Sequence, residues 1–250
     1  MDKDNYNKHR YLLKTRIREV IDMNDNDMNK GIKMPPIQKN PGPGEVLIDL
    51  PSIDSFLNIS DKSTVYSILN RKTKRKYDQE HTMSLIELSW LLFSTQGVRA
   101  KSGQSYFRTV PSAGNRHAFD TYIVIFNVEG LDKGIYRYLP ESHQIVLQNT
   151  HESLEDKLSK ACKDQVFTSN GAVSFIWVAV PYRMEWRYSL AAHKSILIDV
   201  GHICQNLYLG AEAIDYGCCA IGNYNQDLLD NLVKVDGEDE FSVYLCSVGK

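Results

Sequence analysis

Residues 190–216 constrain this chain most. Ile196, Leu197, Val200, Ile203, Cys204, Leu207, Ala211 and Ile214 recur at spacings of three and four, the period of a helix face. Ile198, Leu209 and Ala213 add apolar surface off that face, and Gly217 stands where a stop is wanted. The pattern predicts a long helix buried on most sides. A chain of 250 residues, 42% of them hydrophobic, has enough apolar surface to build a core around it.

The rest of the pattern predicts α+β rather than a strictly alternating parallel sheet. Residues 172–180 are apolar almost throughout, as a strand covered on both faces should be. Residues 119–128 read as another strand, 134–138 and 143–148 as a hairpin around Leu139-Pro140-Glu141-Ser142, and 241–248 as a closing strand. Residues 84–95 read as a helix with Ser84 and Glu87 at capping-box spacing and Gly97 as its end. Shorter helices are expected at 61–70, with Val65, Ile68 and Leu69 on one face, around Leu154, Leu158 and Ala161, and at 226–233.

Residues 1–59 read as an arm and 60–250 as the compact domain. One short amphipathic helix is expected through Tyr11, Leu12, Ile17, Val20 and Ile21, followed by an extended, proline-rich path through Pro35-Pro36 and Pro41-Gly42-Pro43-Gly44. The arm could lie over a surface of its own or a partner subunit, or be a disordered tail.

A formal net charge of -2 argues against a whole-protein nucleic-acid binder. Five cysteines without a C-x-x-C, mostly in apolar runs, fit reduced, packed thiols of a cytoplasmic protein. Neither an apolar leader nor a membrane-length apolar run is visible. Adjacent Cys218-Cys219 and scattered histidines lack metal-ligand spacing, so no metal site is expected.

Four segments could carry chemistry. In Arg71-Lys72-Thr73-Lys74-Arg75, residues 71, 73 and 75 share a side of an extended segment, which would aim two guanidinium forks and a hydroxyl at one phosphate. A solvated charge cluster or a nucleic-acid patch reads equally from the same residues. In Pro111-Ser112-Ala113-Gly114-Asn115, small residues permit close approach to a flat ligand and Asn115 offers donor and acceptor to a pyrimidine edge, although an ordinary loop fits too. Ile221-Gly222 could present main-chain N–H groups or be a strand end. In the segment Trp186-Arg187-Tyr188, read as a loop, Tyr188 could move a proton and Arg187 could orient an anion, against simple surface packing.

Taken in order, RKTKRKY at 71, ELSWLLFSTQG at 87, PSAGNRH at 111, GIYRY at 134, DVGHICQNLYLGAEAIDYG at 199, AIGNY at 220 and the terminal SVGK resemble the nitroreductase superfamily. Within it they resemble the SagB-type dehydrogenases, or azoline oxidases, over residues 70–250. The resemblance implies a nitroreductase-like fold, with a mostly antiparallel sheet and flanking helices around a long buried helix. It also implies a homodimer with FMN at the subunit interface. Arg71, Lys72, Thr73, Arg75 and Lys250 would hold the phosphate. Pro111, Ser112, Ala113 and Asn115 would line the flavin, and Ile221 and Gly222 would flank its reactive edge.

The implied reaction is dehydrogenation of a peptide thiazoline or oxazoline to the azole, on a precursor peptide supplied by a cyclodehydratase. Catalysis would fall to Tyr188 with Arg187, where the family has Lys-Tyr. His193-Lys194 replace a family Tyr-Arg, Thr73 stands where Ser is usual, and Val110 where Ala is common. Arg keeps its proton, so a base role does not suit position 187. Two other functions are compatible with these residues: an NAD(P)H-dependent nitro or quinone reductase, and a non-catalytic scaffold of a peptide-modifying complex.

Overall fold

The computed structural model describes residues 3–250. Its helices are α1 (Lys3–Arg10), α2 (Ile17–Val20), α3 (Thr64–Asn70), α4 (Leu85–Gln96), α5 (Leu154–Ala161), α6 (Tyr182–Tyr188), α7 (Ala192–Ala213) and α8 (Gln226–Val233). Its strands are β1 (Leu47–Asp49), β2 (Val98–Ser102), β3 (Ser105–Arg108), β4 (Phe119–Ile125), β5 (Gly134–Leu139), β6 (Gln144–Asn149), β7 (Val173–Ala179), β8 (Gly217–Ile221) and β9 (Phe241–Gly249).

Seven strands form one sheet in the order β1-β6-β5-β4-β7-β9-β8, every pair antiparallel. β4 and β7 lie at its centre, in register from Phe119↔Ala179 to Ile125↔Val173, and all residues of both are buried. That is why residues 172–180 read as a nearly continuous apolar run. On one face, Phe119, Ile123, Phe175 and Trp177 pack with Leu88, Leu91 and Leu92 of α4 and Ile196, Val200, Ile203 and Leu207 of α7. On the other, Tyr122, Val124, Ile176 and Val178 pack with Leu154 and Leu158 of α5 and Leu229 and Leu232 of α8. The α+β expectation holds, with an antiparallel sheet between helices.

Local chemistry explains the boundaries. Ser84 and Glu87 form the full capping box at the start of α4. It ends at Gly97, a position that must be glycine because a Cβ there would come 2.1 Å from the Phe93 ring. Gly217 does not stop α7 as expected. The left-handed turn is taken by Asp215, at φ +64°, and Gly217 already belongs to β8.

Several expectations need correction. α7 is buried along one face only: Leu197 and Ile198 are about half exposed. In α3 the inward residue is Ser67, whereas Val65, Ile68 and Leu69 are 65%, 60% and 77% exposed. The period was read correctly, but within one chain nothing covers that face. Residues 186–188 end a helix, α6, rather than lying in a loop. The single amphipathic helix of the arm is two short helices split by a 3-10 turn at Tyr11–Leu13.

The arm lies across its own chain. Met28 N–H donates to Trp186 O at 2.9 Å, the Trp186 indole donates to Ile32 O at 2.9 Å, and Lys194 donates to Leu13 O at 2.7 Å. Further on, buried Arg108 donates to Ile37 O at 2.9 Å and Arg137 to Lys39 O. The arm then enters the sheet as β1, against β6.

Candidate functional site

α7 supports both halves of the candidate site. Its residues Asp199 and Tyr208 are nine apart, about 14 Å along a helix. Asp199 holds the 111–115 loop, and Tyr208 meets the basic run.

The basic run leaves α3 at Arg71 and travels beside β8. Thr73 bridges Cys218 in parallel, and Lys74 N–H donates to Cys218 O at 3.0 Å. Lys74 turns its aliphatic stem onto Gly217, where a Cβ would come within 2.3 Å of it. Arg71 and Thr73 face the other way. The Arg71 guanidinium stands 5.1 Å from the Tyr208 ring centroid, and Thr73 Oγ1 lies 3.4 Å from the Tyr208 hydroxyl. That hydroxyl accepts from Ala220 N–H at 2.9 Å, which leaves its own proton free for an oxygen nearby.

Arg75 does not join Arg71 and Thr73 on Tyr208; it stands 5.7 Å over the Phe167 ring. Lys72 is exposed. Lys250 lies 5.4 Å over Tyr216, its main chain fixed by Asp78 N–H donating to Lys250 O at 2.7 Å. No described carboxylate comes within ion-pair distance of Arg71, Lys72, Arg75 or Lys250. Cations gathered without counter-charge suit an external anion.

The 111–115 loop is tightly wound. Gly114 and Asn115 both have φ near +58°, and His117 has φ +48°. Ala113 N–H donates to the Asp199 carboxylate at 3.3 Å, and the Ser112 hydroxyl accepts from His117 N–H at 2.9 Å. Burial holds the Asp199 carboxyl above its ordinary range, against hydrogen bonds from Ser112 and Ala113 that lower it. Burial, and then Arg108, push the His117 imidazole down to about 3, so the ring is neutral. Its Nε2 faces Tyr106 O at 2.8 Å and Asn115 Oδ1 at 2.7 Å, both acceptors, so Nε2 carries the proton. The Asn115 amide nitrogen is buried and has no partner.

Gly114 brings the catalytic candidates to this loop. A Cβ on it would lie 2.5 Å from the Tyr188 hydroxyl and 3.0 Å from Arg187 Cδ. Only glycine permits that approach at a positive φ. Ile221 ends β8, buried and paired with Leu245, and Gly222 lies just beyond in open space, with Tyr244 Cε2 the nearest atom to an added Cβ at 3.9 Å. Of the altered pair, His193 lies 2.7 Å from Glu185, and Lys194 is tied to the arm.

Asp199 and Tyr208 escaped the sequence reading as functional residues. The signal for Asp199 was an acid on the buried face of the helix, between Ile196 and Val200. Tyr208 carried no such mark, since its role depends on where β8 and the basic run converge. Among the described residues no group of three or more His, Cys, Asp or Glu is placed to hold a metal, and no helix is long and apolar enough to cross a membrane.

An antiparallel sheet lies between two helical layers, with an unneutralised basic run and a glycine loop meeting on one long helix. The model of the nitroreductase family matches residues 68–250, and the chain belongs to that family. A protein of Methanocaldococcus jannaschii described as a nitroreductase is 30% identical over 183 residues, 73% of this chain and 88% of that protein. Among solved structures, one described as a nitroreductase from Ralstonia eutropha has a TM-score of 0.68 at 23% identity, covering 86% of this chain and 97% of that one. The Escherichia coli microcin synthetase McbBCD complex, with truncated pro-MccB17 bound, has a TM-score of 0.60 at 16% identity, covering 81% of this chain and 83% of that one.

Proposed function

We propose that this chain is an FMN-dependent dehydrogenase that oxidises thiazoline or oxazoline rings in a peptide to the corresponding azoles. The observation that carries the flavin reading is the pairing on α7: Arg71 and Thr73 gather on Tyr208 with no counter-charge, while Asp199 fixes the 111–115 loop about 14 Å away. Arg71 and Thr73 would bind the phosphate, with Lys72, Arg75 and Lys250 adding positive charge around it. Pro111, Ser112 and Ala113 would line the ring system, and the unpartnered Asn115 amide would meet its pyrimidine edge. Main chain at Ile221-Gly222 would border the reactive side. Bound FMN supplies a two-electron acceptor.

This chain's part in the chemistry is then proton handling and orientation. Tyr188, whose hydroxyl lies against Gly114, would take or hold the substrate proton. Arg187, 5.5 Å from the Tyr188 ring centroid, would orient an anionic group of the substrate beside it. The peptide-ring substrate is favoured by the Arg187-Tyr188 pair at the end of α6 and by the likeness to a peptide-modifying synthetase, which suggests a cyclodehydratase complex and its precursor peptide as partners. The exposed apolar residues of α3 and α7 support a homodimer.

The test is to incubate the FMN-loaded protein with an azoline peptide and follow its mass. The expected result is loss of two hydrogens per ring, abolished in Tyr188→Phe. No loss of hydrogen, together with rapid bleaching of the flavin by NADPH and turnover of a nitro compound or quinone, would overturn it in favour of a reductase. Full function of Tyr188→Phe in a copurifying complex would favour a scaffold.

A further inference from the structure

Beside Tyr188 stand three guanidinium groups, none paired with an acid among the described residues. Arg187 lies 5.5 Å from the Tyr188 ring centroid, and its Nε would be 3.1 Å from a Cβ on Gly114. Arg18, on α2 of the arm, lies 5.5 Å from the same ring. Arg116 closes the glycine loop, 5.2 Å over the Trp186 ring. It is only 5% exposed, and its Nε is buried without a partner.

A buried arginine ordinarily has a carboxylate or several carbonyls to offset its lost hydration. Arg108 and Arg183 show this in the same protein. Arg183 makes a bidentate pair with Asp120 at 2.8 Å, and Arg108 donates to Gln96 Oε1 at 2.7 Å and Ile37 O at 2.9 Å. Arg116 has no equivalent. Burial, and then Arg187, hold its guanidinium below the ordinary range, as expected of a cation that nothing neutralises. The nearby acids are engaged elsewhere: Glu185 faces His193 at 2.7 Å, and Asp199 accepts from Ala113 N–H.

We infer that Arg18, Arg116 and Arg187 form a binding site for an anionic oxygen group, a carboxylate or a phosphate, on the molecule that meets Tyr188. Planar guanidinium forks match both groups in a way a lysine does not. Arg18 lies outside residues 68–250, so this arm adds a charge that the family-matched part of the chain does not supply. The arm is anchored at this point: the buried Asn26 amide donates to Arg187 O at 2.9 Å, and Tyr182 donates to Asp27 at 2.8 Å. The inference rests on the placement of substrate beside Tyr188 in the reading above, and not on bound flavin.

The test is a titration of the full chain, labelled at tryptophan, with succinate and separately with inorganic phosphate at constant ionic strength. The readout is the Trp186 indole N–H resonance, because that ring underlies Arg116. A saturable shift is expected, weakened at least about tenfold in Arg18→Gln and in Arg187→Gln. It should be weakened less in Arg18→Lys and unchanged in Lys160→Gln, which removes an exposed cation on α5, across the sheet. Tighter succinate would mark a carboxylate-bearing substrate, and tighter phosphate a phosphorylated nucleotide. No saturation in the unmodified protein, or curves in both glutamine variants that match the unmodified protein's, would overturn the inference. Because Arg18 is exposed on the arm, its variants test the site without disturbing the core. A colourless, flavin-free preparation would count against the flavin reading while leaving this titration intact.

Discussion

Asp120 and Arg183 face one another in the interior, 3% and 4% exposed, through two hydrogen bonds of 2.8 Å. Burial alone would raise the Asp120 carboxyl, but Arg183, with Arg137 and Arg108, holds it below its ordinary range. Removing one charge strands the other, so Asp120→Asn should cost about 3–5 kcal/mol, read as a lower urea midpoint. His117 makes a separate prediction. Its folded-state value of about 3 lies below the unfolded value of 6.5, so the unfolded chain binds the extra proton first. Its contribution is complete above pH 6.5 and is lost as pH falls toward 3, at up to roughly 1.4 kcal/mol per pH unit. His143, also depressed by burial, acts in the same direction. Urea midpoints that stay flat between pH 6.5 and 4.5 would contradict both assignments.

At the scale of elements, the apolar face of α3 is the most testable feature. Val65, Ile68 and Leu69 were legible as a helix face from their spacing, yet they point away from this chain's core. Periodicity reports which face is apolar but not whose surface will cover it. A charge at Leu69 should therefore spare the fold and split a dimer: Leu69→Glu is expected to elute as a monomer with an unchanged far-UV spectrum. Continued dimer elution would exclude this face from the interface. Elsewhere the local chemistry was readable. The Ser84–Glu87 box starts α4 as its spacing required, and Ser84→Ala should cost about 1 kcal/mol. The β2–β3 hairpin and β1 escaped notice because they are short and mostly exposed, so neither carries the alternation that marks a half-buried strand.

Across the whole molecule, the sequence displayed the parts of the site more clearly than their arrangement. Seven segments in order implied the family, and the two central strands and the long helix announced themselves by apolar content. Tertiary proximity was not legible. Nothing local shows that Arg71 and Thr73 share Tyr208, that Gly114 seats Tyr188, or that Arg18 returns to the same ring from the arm. Nor did spacing reveal that Arg75 turns to Phe167 instead of following Arg71 and Thr73. The central claim is that the basic run and the 111–115 loop, joined by α7, hold FMN. The absorbance spectrum of the purified protein tests it most directly, set beside that of the Arg71→Ala/Thr73→Ala double variant. The account predicts flavin bands in the first and their loss in the second, with both proteins folded. A folded protein that stays colourless after FMN is added, or a double variant as yellow as its parent, would contradict it.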